Sequence, residues 1–178
     1  MEGSTISKLK VFTAWQDDKE EEWLREMSCR GLHLTLPLFP CVYTFIRGEP
    51  HDIAYRLDYI PRMPRDERGN YLQVFRDAGW EHLGEMAGWQ YFRKPVQAGE
   101  PPEIYTDPES KVRKYLRLLG ALAVPFMTPI IIVAVTRTHD RPHLPGFELF
   151  SIALILVYLF LTYGLVRIAW RIRQLRRL

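Results

Sequence analysis

Few side chains in this sequence have the types and spacing that catalysis or metal binding requires. His139, Asp140 and His143 are close enough along the chain to reach one metal ion. A solvated loop is the favoured interpretation, because zinc sites supply three or four ligands and no thiolate lies nearby. Cys29 and Cys41 lack the paired spacing of zinc or redox sites. We therefore predict no metal, no cofactor and no catalytic residue.

Recognised catalytic motifs are absent from the sequence. It contains no phosphate-binding loop of the Walker type, no GxSxG nucleophile and no HExxH zinc pair. His33 and His82 follow predicted helices. We expect each to lie at a strand edge or to be hydrogen-bonded within the fold, rather than to act as a catalytic acid or base. The acidic run at 17–22 could bind cations, but a solvated helix start is the favoured interpretation, since acidic side chains stabilise that end of a helix.

Aromatic side chains are the most informative group in the first 95 residues. Most of them are expected to fill the core, because a small two-layer fold needs large side chains to close it. The others could line a cleft between two repeats and bind an apolar ligand, a cationic ligand or a peptide. The side chains predicted to line this cleft lie on strands in which they alternate with polar residues. They are Tyr55, Tyr59, Trp89 and Tyr91.

The elements that must position these aromatic side chains alternate between strands and helices. The predicted order is β-α-β-β-β-α-β-β, which is one βαββ unit written twice. A displacement of 48 residues pairs Gly31 with Gly79, each ending a predicted helix, and Tyr43 with Tyr91 in the strands that follow. The predicted fold class is α+β, in which two βαββ-like repeats form a mostly antiparallel sheet backed by two helices.

Local patterns predict the element boundaries. Residues 8–15 are rich in strand-forming types, and Asp17 is expected to cap the first helix. Apolar and polar residues alternate over 53–59, which is typical of a half-buried strand. The second helix is predicted at about 70–78, and the last hairpin turns at Ala87.

Charge and hydropathy divide the chain into two parts. Residues 1–110 carry 13 Lys and Arg against 19 Asp and Glu, whereas residues 111–178 carry 11 against 2. The acidic first part argues against nucleic acid as a direct partner, because such binding depends on basic side chains that neutralise phosphates. In the second part, the uncharged runs at 118–135 and 149–166 have the length of membrane spans.

Basic side chains precede the first apolar run and follow the second. If both runs cross a membrane, these side chains lie on the same side of it. The positive-inside rule then predicts a cytoplasmic membrane protein with two spans and both termini in the cytoplasm. The predicted domains are a cytoplasmic α+β domain at 1–95, a proline-rich linker at 96–107, a juxtamembrane helix and two transmembrane helices (about 115–136 and 148–168) at 108–170, and a basic cytoplasmic tail at 171–178. The predicted lipid-headgroup contacts are Lys111, Arg113, Lys114, Arg117, Arg171, Arg173, Arg176 and Arg177.

Two prolines interrupt the first predicted span. Pro125 and Pro129 each remove a backbone donor, so a kink or local unwinding is expected there. Whether they act as a hinge is left open, although neither span contains a charge and a simple anchor is favoured.

Several stretches of the sequence resemble a known bacterial family. The segments DKEEEWLREMSCRGLHL, YRLDYIP, YLQVFRDAGWEHLGEMAGWQYFRKP and IYTDPESK are similar to the family catalogued as domain of unknown function 2812. The resemblance covers 8–115 and implies C-terminal membrane spans, which members commonly add. It also implies a regulatory context, because genes of the family often neighbour transcription regulators of the PadR type. No activity is implied.

Three classes of function are compatible with this organisation. The first is a membrane-anchored cytoplasmic sensing or interaction module whose partners are membrane lipid and a protein, such as a PadR-type regulator. The second is an accessory subunit of a membrane transport or resistance system. The third is an enzyme with an unrecognised site. Recovery of a regulator or of a transport protein from membranes would distinguish the first two.

Overall fold

The computed structural model describes residues 5–39, 41–97, 102–105, 108–137 and 147–177. The chain divides into two compact units, Met1–Ser110 and Lys111–Leu178. The elements described in the first unit are β1 (Thr5–Leu9), α1 (Asp17–Cys29), β2 (Leu32–Phe39), β3 (Val42–Arg47), β4 (Ile53–Tyr59), α2 (Arg65–Asp77), β5 (Glu81–Met86) and β6 (Trp89–Pro95).

The strands form two three-stranded antiparallel sheets, not the single sheet predicted from the sequence. Their orders are β1-β3-β2 and β4-β6-β5. In each βαββ unit the last strand lies in the middle: β3 pairs with β1 and β2, and β6 pairs with β4 and β5. Each unit therefore forms a complete sheet by itself. The single-sheet prediction was wrong because strand periodicity shows which face is buried but not which edges pair.

Most predicted boundaries agree with the structure, and the differences have local causes. The bounds of β4 match the prediction. β1 ends at Leu9 instead of reaching 15, because Thr13 and Gln16 close a turn: the Gln16 N–H donates to the Thr13 carbonyl at 2.8 Å. Asp17 is the first helical residue, with Gln16 at the cap. α2 begins at Arg65, five residues before the predicted start.

The two βαββ units have the same element order and strand order. Both helices also end at a glycine in the left-handed region, Gly31 with φ of 73° and Gly79 with φ of 82°. Glycine adopts this conformation without the steric cost that other residues incur. An origin of the two units by duplication stays a prediction.

The distance along the chain from the helix-ending glycine to the second hairpin strand differs by one residue between the two units. The second hairpin strands begin at Val42 and Trp89, which are 47 residues apart, whereas the glycines are 48 apart. A slip of one residue turns a side chain to the opposite face of a sheet. Because of this one-residue difference, Tyr43 and Tyr91 lie on opposite faces of their respective sheets. They do so although a displacement of 48 residues pairs them in the sequence.

Helix α1 packs on the β1-β3-β2 sheet through aromatic contacts. The Trp23 ring lies 5.0 Å from the Tyr43 ring and 5.7 Å from the Phe45 ring, in both cases edge to face. Leu24 and Met27 from the same helix are buried. Such edge-to-face pairs add to the stabilisation that burial provides.

The same helix also covers the open edge of the second sheet. β4 forms that edge, and its Leu57 N–H donates to Glu21 Oε1 at 2.8 Å. Its Ile53 N–H donates to Ser28 Oγ at 3.2 Å. These side chains of α1 accept hydrogen bonds from the edge strand and so hold both sheets on one helix. They also cover an edge that would otherwise be a template for aggregation.

Helix α2 packs on the β4-β6-β5 sheet. Its Phe75 ring stacks on Phe92 with centroids 4.3 Å apart, and Tyr71 approaches the same ring at 6.1 Å. Ala54 and Trp80 complete this buried cluster. A later segment joins it, since Ile104 is partly buried against the cluster.

The second unit contains two long helices, α3 (Pro108–Arg137) and α4 (Phe147–Leu175). Phe126 stacks on Tyr158 at 4.6 Å, and the Arg171 guanidinium lies 5.0 Å from the Tyr115 ring. These contacts pair the two helices antiparallel. α3 continues through Pro125 and Pro129 without interruption, so the local unwinding predicted there is not observed.

Within the residues that the structure describes, one segment is long and apolar enough to cross a membrane. It is the 24-residue segment Ile152–Leu175 of α4. The other span, predicted at about 115–136, is not found by the same criterion among the described residues, and the first turns of α3 carry four basic side chains. The loop with His139, Asp140 and His143 lies outside the described residues.

Candidate functional site

A cavity of about 150 Å³ lies where α1 meets the hairpin ends of both sheets. We name it the inter-sheet cavity. Its walls combine aromatic rings with two carboxylates: Phe12, Tyr43, Trp89, Tyr91, Asp17 and Glu20.

Glu20 is the central polar group of this cavity. Its side chain is 7% exposed. The Tyr43 hydroxyl donates to Glu20 Oε1 at 2.9 Å, and the Tyr91 hydroxyl donates to the same oxygen at 2.7 Å. Since Tyr43 belongs to the first sheet and Tyr91 to the second, one carboxylate oxygen on α1 joins both sheets.

Two polar atoms around the cavity have unused hydrogen-bonding capacity. Glu20 Oε2 accepts no hydrogen bond from the described residues, because both tyrosines use Oε1. The buried Thr13 Oγ1, in the same wall, also has no partner there. Buried polar groups in folded proteins are nearly always satisfied, so Thr13 Oγ1 marks a place where a ligand or water would bind. Glu20 Oε2 is open to solvent in the same cavity and can accept from a molecule that enters it.

Burial dominates the electrostatics of the cavity. It raises the pKa of Glu20, the two tyrosine hydrogen bonds oppose that rise, and the neighbouring charge of Asp17 adds to it. Burial also raises the pKa of Tyr43 and of Tyr91, and the nearby Glu20 carboxylate raises both further. The two hydroxyls therefore stay protonated and act as donors at physiological pH.

The helical spacing of α1 places both carboxylates on its buried face. Asp17 and Glu20 are three residues apart, and Trp23 and Leu24 continue the same stripe. The expectation of a solvated acidic run was wrong for Asp17 and Glu20, which are 3% and 7% exposed. The spacing of Glu20 from the apolar residues Trp23, Leu24 and Met27 was the sequence signal that could have identified it.

The four side chains predicted to line a cleft are all buried, at 9% exposure or less. Trp89 and Tyr91 line the inter-sheet cavity. Tyr59 supports that wall, since its ring lies 5.0 Å from Trp89. Tyr55 lies elsewhere in the core, where its hydroxyl accepts the Leu34 N–H at 3.3 Å. Their binding role stays a prediction, and burial limits it to ligands small enough to enter the cavity.

A second buried carboxylate shows how a purely structural site differs. Asp58 is 2% exposed. The Tyr71 hydroxyl donates to its Oδ2 at 3.0 Å, and the Tyr105 hydroxyl donates to its Oδ1. Both oxygens of Asp58 are thus used, and the contact with Tyr105 attaches the 102–105 segment to the domain. Glu20 differs because its second oxygen is left unused.

The two histidines considered as acids or bases each contact one acceptor within the fold through a single ring nitrogen. His82 Nε2 lies 2.9 Å from Gln90 Oε1, and burial lowers the pKa of this histidine. His33 Nε2 lies 2.8 Å from the Glu49 carbonyl. Among the described residues, no three His, Cys, Asp or Glu side chains are grouped closely enough to hold a metal ion.

A larger depression of about 420 Å³ lies beside the end of α2. Its charged side chains, Arg76 and Glu81, are exposed, and Glu81 pairs with Arg93 at 2.8 Å. We therefore consider the smaller inter-sheet cavity the better site, because its carboxylates are buried.

Two of the predicted lipid-contacting side chains pack on one ring. Lys114 is 6% exposed, and its ammonium lies 5.1 Å from the Tyr115 ring. Arg171 approaches the same ring. Most of the other basic side chains in this set are exposed: Arg113, Arg117, Arg173, Arg176 and Arg177. Contact with lipid headgroups stays a prediction for the whole set.

Comparison with known proteins gives one result. A family model described as Protein of unknown function (DUF2812) matches residues 16–127, more than half of the chain. No curated protein and no solved structure matches the chain. The matched region includes Asp17, Glu20, Tyr43 and Tyr91, and it confirms the resemblance noted in the sequence. The chain therefore belongs to the family described as Protein of unknown function (DUF2812).

Proposed function

We propose that the chain is a membrane-anchored sensing module whose inter-sheet cavity binds a small ligand. The observation that carries this proposal is the buried Glu20 carboxylate, which accepts hydrogen bonds from both sheets through one oxygen and keeps the other unused. Asp58, in contrast, receives a tyrosine hydroxyl on each of its two oxygens.

The arrangement around Glu20 couples ligand binding to the position of the two sheets. A ligand that contacts Oε2 changes the charge and the hydrogen bonds of the carboxylate that Tyr43 and Tyr91 share. Because the two tyrosines belong to separate sheets, the ligand stabilises one relative position of the sheets over others. A ligand shifts a conformational equilibrium only through such differential interaction.

The signal is proposed to reach a protein partner at the cytoplasmic face of the membrane. The apolar segment Ile152–Leu175 supports membrane anchoring by its length and composition. The uncharged run at 118–135 and the basic flanks support two spans with both termini in the cytoplasm. The family resemblance makes a PadR-type transcription regulator the first partner to test.

Crosslinking in native membranes, followed by mass spectrometry, tests this function. Ala14 lines the cavity, so Ala14→Leu fills part of the ligand space. Ala78→Leu makes the same change at an exposed position after α2 and is the matched control. The proposal expects a partner whose recovery differs several-fold between wild type and Ala14→Leu and is unchanged in Ala78→Leu. Equal recovery from a folded, membrane-inserted Ala14→Leu protein would show that the cavity does not control partner binding.

A further inference from the structure

We propose that the ligand of the inter-sheet cavity is a small organic cation, such as a protonated amine or a quaternary ammonium of a few heavy atoms. This inference rests on the proposed function and specifies the ligand class of the same site. Three features of the cavity carry it: two buried carboxylates, a wall of aromatic rings, and a volume that fits a molecule of a few heavy atoms.

The charges around the cavity favour a cationic ligand. Asp17 and Glu20 are 3% and 7% exposed, and none of the described side chains that line the cavity is basic. Both carboxylates attract a cation that enters the cavity, because opposite charges interact more strongly away from bulk water. The acidic excess of residues 1–110 favours cations over anions at longer range as well.

The aromatic wall provides a second attraction for a cation. Phe12, Tyr43, Trp89 and Tyr91 all line the cavity, and the faces of such rings attract ammonium groups. Of these four rings, Phe12 already has a cation near it, since the exposed Lys10 ammonium, which does not line the cavity, lies 5.5 Å from its centre.

The unused polar atoms match the donors of an ammonium group. Glu20 Oε2 accepts nothing from the described residues, and Thr13 Oγ1 is buried without a partner. A protonated amine has several N–H donors and no acceptor, so it can donate to both oxygens at once. An anionic ligand would place like charges together beside Asp17 and Glu20.

The volume of the cavity limits the size of the cation. About 150 Å³ is several times the roughly 30 Å³ that one water molecule occupies in the liquid, and a cavity of about this size holds a benzene-sized molecule. Peptides and lipids are therefore too large to enter as a whole. A small ligand of this kind binds weakly, with a Kd on the order of millimolar, because few atoms make contacts.

Titration of the full chain in detergent tests the ligand class. The probes are ethylammonium chloride, tetramethylammonium chloride and the neutral tert-butanol, each at constant ionic strength balanced with NaCl. Tryptophan fluorescence is the readout, because Trp89 lines the cavity. We expect at least one ammonium probe to bind tenfold or more tightly than tert-butanol. Equal binding of tert-butanol, or no saturable binding of either ammonium salt, would overturn the assignment.

Variants distinguish binding in the cavity from binding elsewhere. Glu20→Gln and Ala14→Leu should each weaken the bound ammonium probe about tenfold, whereas Glu22→Gln, at an exposed position of the same helix, should leave its Kd unchanged. If Glu20→Gln does not fold, Ala14→Leu provides the same comparison. Unchanged binding in a folded cavity variant would place the cation elsewhere and overturn the proposal.

The outcome for the ligand class is separable from the outcome for the proposed function. If Ala14→Leu changes partner recovery in membranes but no ammonium probe binds, the ligand class is wrong and the sensing function stands. If the ammonium probes bind in the cavity but partner recovery is the same in wild type and Ala14→Leu, the cation site stands and the sensing function is wrong.

Discussion

At the scale of single residues, the proposed site depends on the hydrogen bonds that one buried carboxylate accepts. Glu20 receives two tyrosine hydroxyls on one oxygen, and Asp17 lies three residues before it on the same helix. The carboxylate is stabilised by hydrogen bonds and destabilised by burial and by the nearby charge. These opposing effects make Glu20 the residue where pH and substitutions should have measurable consequences.

The stability of the fold should depend on pH through Glu20. Its pKa is raised above 4.5 in the folded state, so folding takes up a proton between pH 4.5 and the folded pKa. The free energy of unfolding therefore falls as the pH rises through that interval. Glu20→Gln has no such proton, and its stability relative to wild type should increase from pH 4 to pH 8. Denaturation of the full chain in detergent measures this difference, with Glu22→Gln as the control for removing one acidic charge.

The two tyrosine hydroxyls should each contribute to stability. Tyr43→Phe or Tyr91→Phe removes one donor from a buried carboxylate, and we expect each to lower the free energy of unfolding by about 1–2 kcal/mol. Tyr59→Phe is the control, because Tyr59 also belongs to the core, at 7% exposure, and its hydroxyl makes no hydrogen bond to the described residues. An equal loss in all three variants would mean that the Glu20 contacts contribute nothing specific.

At the scale of elements, the sequence predicted local structure better than pairing. The alternation in 53–59 and the glycines after each helix correctly located β4 and both helix ends. Division into two sheets was not predicted, because the pairing of strand edges depends on contacts distant in sequence. The spacing of Glu20 along α1 indicated the buried face, but its two hydrogen-bond donors, Tyr43 and Tyr91, come from separate sheets that the sequence did not predict.

The two helix-ending glycines should differ in their tolerance of substitution. Both have positive φ, so Ala at either position costs about 1–2 kcal/mol of backbone strain. At Gly31 an added Cβ would also lie 2.5 Å from the Gly48 carbonyl oxygen, whereas at Gly79 it would lie 3.4 Å from the flexible end of Lys94. We therefore expect Gly31→Ala to be clearly more destabilising than Gly79→Ala when denaturation midpoints are compared. Equal midpoints would mean that the backbone near Gly48 moves without cost.

At the scale of the whole molecule, the first part of the chain is acidic and the second part is apolar with basic flanks. The first part contains the inter-sheet cavity, and the second contains the segment Ile152–Leu175 that is long and apolar enough to cross a membrane. Basic residues flank the apolar runs at 118–135 and 149–166. Anionic lipids of the cytoplasmic leaflet attract such residues and repel an acidic domain.

The proposed two-span topology gives a prediction for chemical labelling. A cysteine introduced as Thr138→Cys, with Cys29 and Cys41 replaced by serine, should react with a membrane-impermeant reagent in intact cells. Tags at residues 1 and 178 should be protected in the same cells, since two spans place both termini in the cytoplasm. Labelling of either terminal tag in intact cells would reverse the proposed orientation.

The central claim is that an acidic cavity faces the cytoplasm and selects small cations, and the reactivity of Cys41 tests it most directly. Cys41 lines the cavity, and Cys29→Ser leaves it as the one native thiol. Cationic and anionic methanethiosulfonate reagents of similar size, both membrane-impermeant, are compared in intact cells and in inside-out vesicles. The account predicts labelling in the vesicles only, several-fold faster with the cationic reagent, and a loss of that preference in Glu20→Gln. Labelling in intact cells, or equal rates with the two reagents, would contradict it.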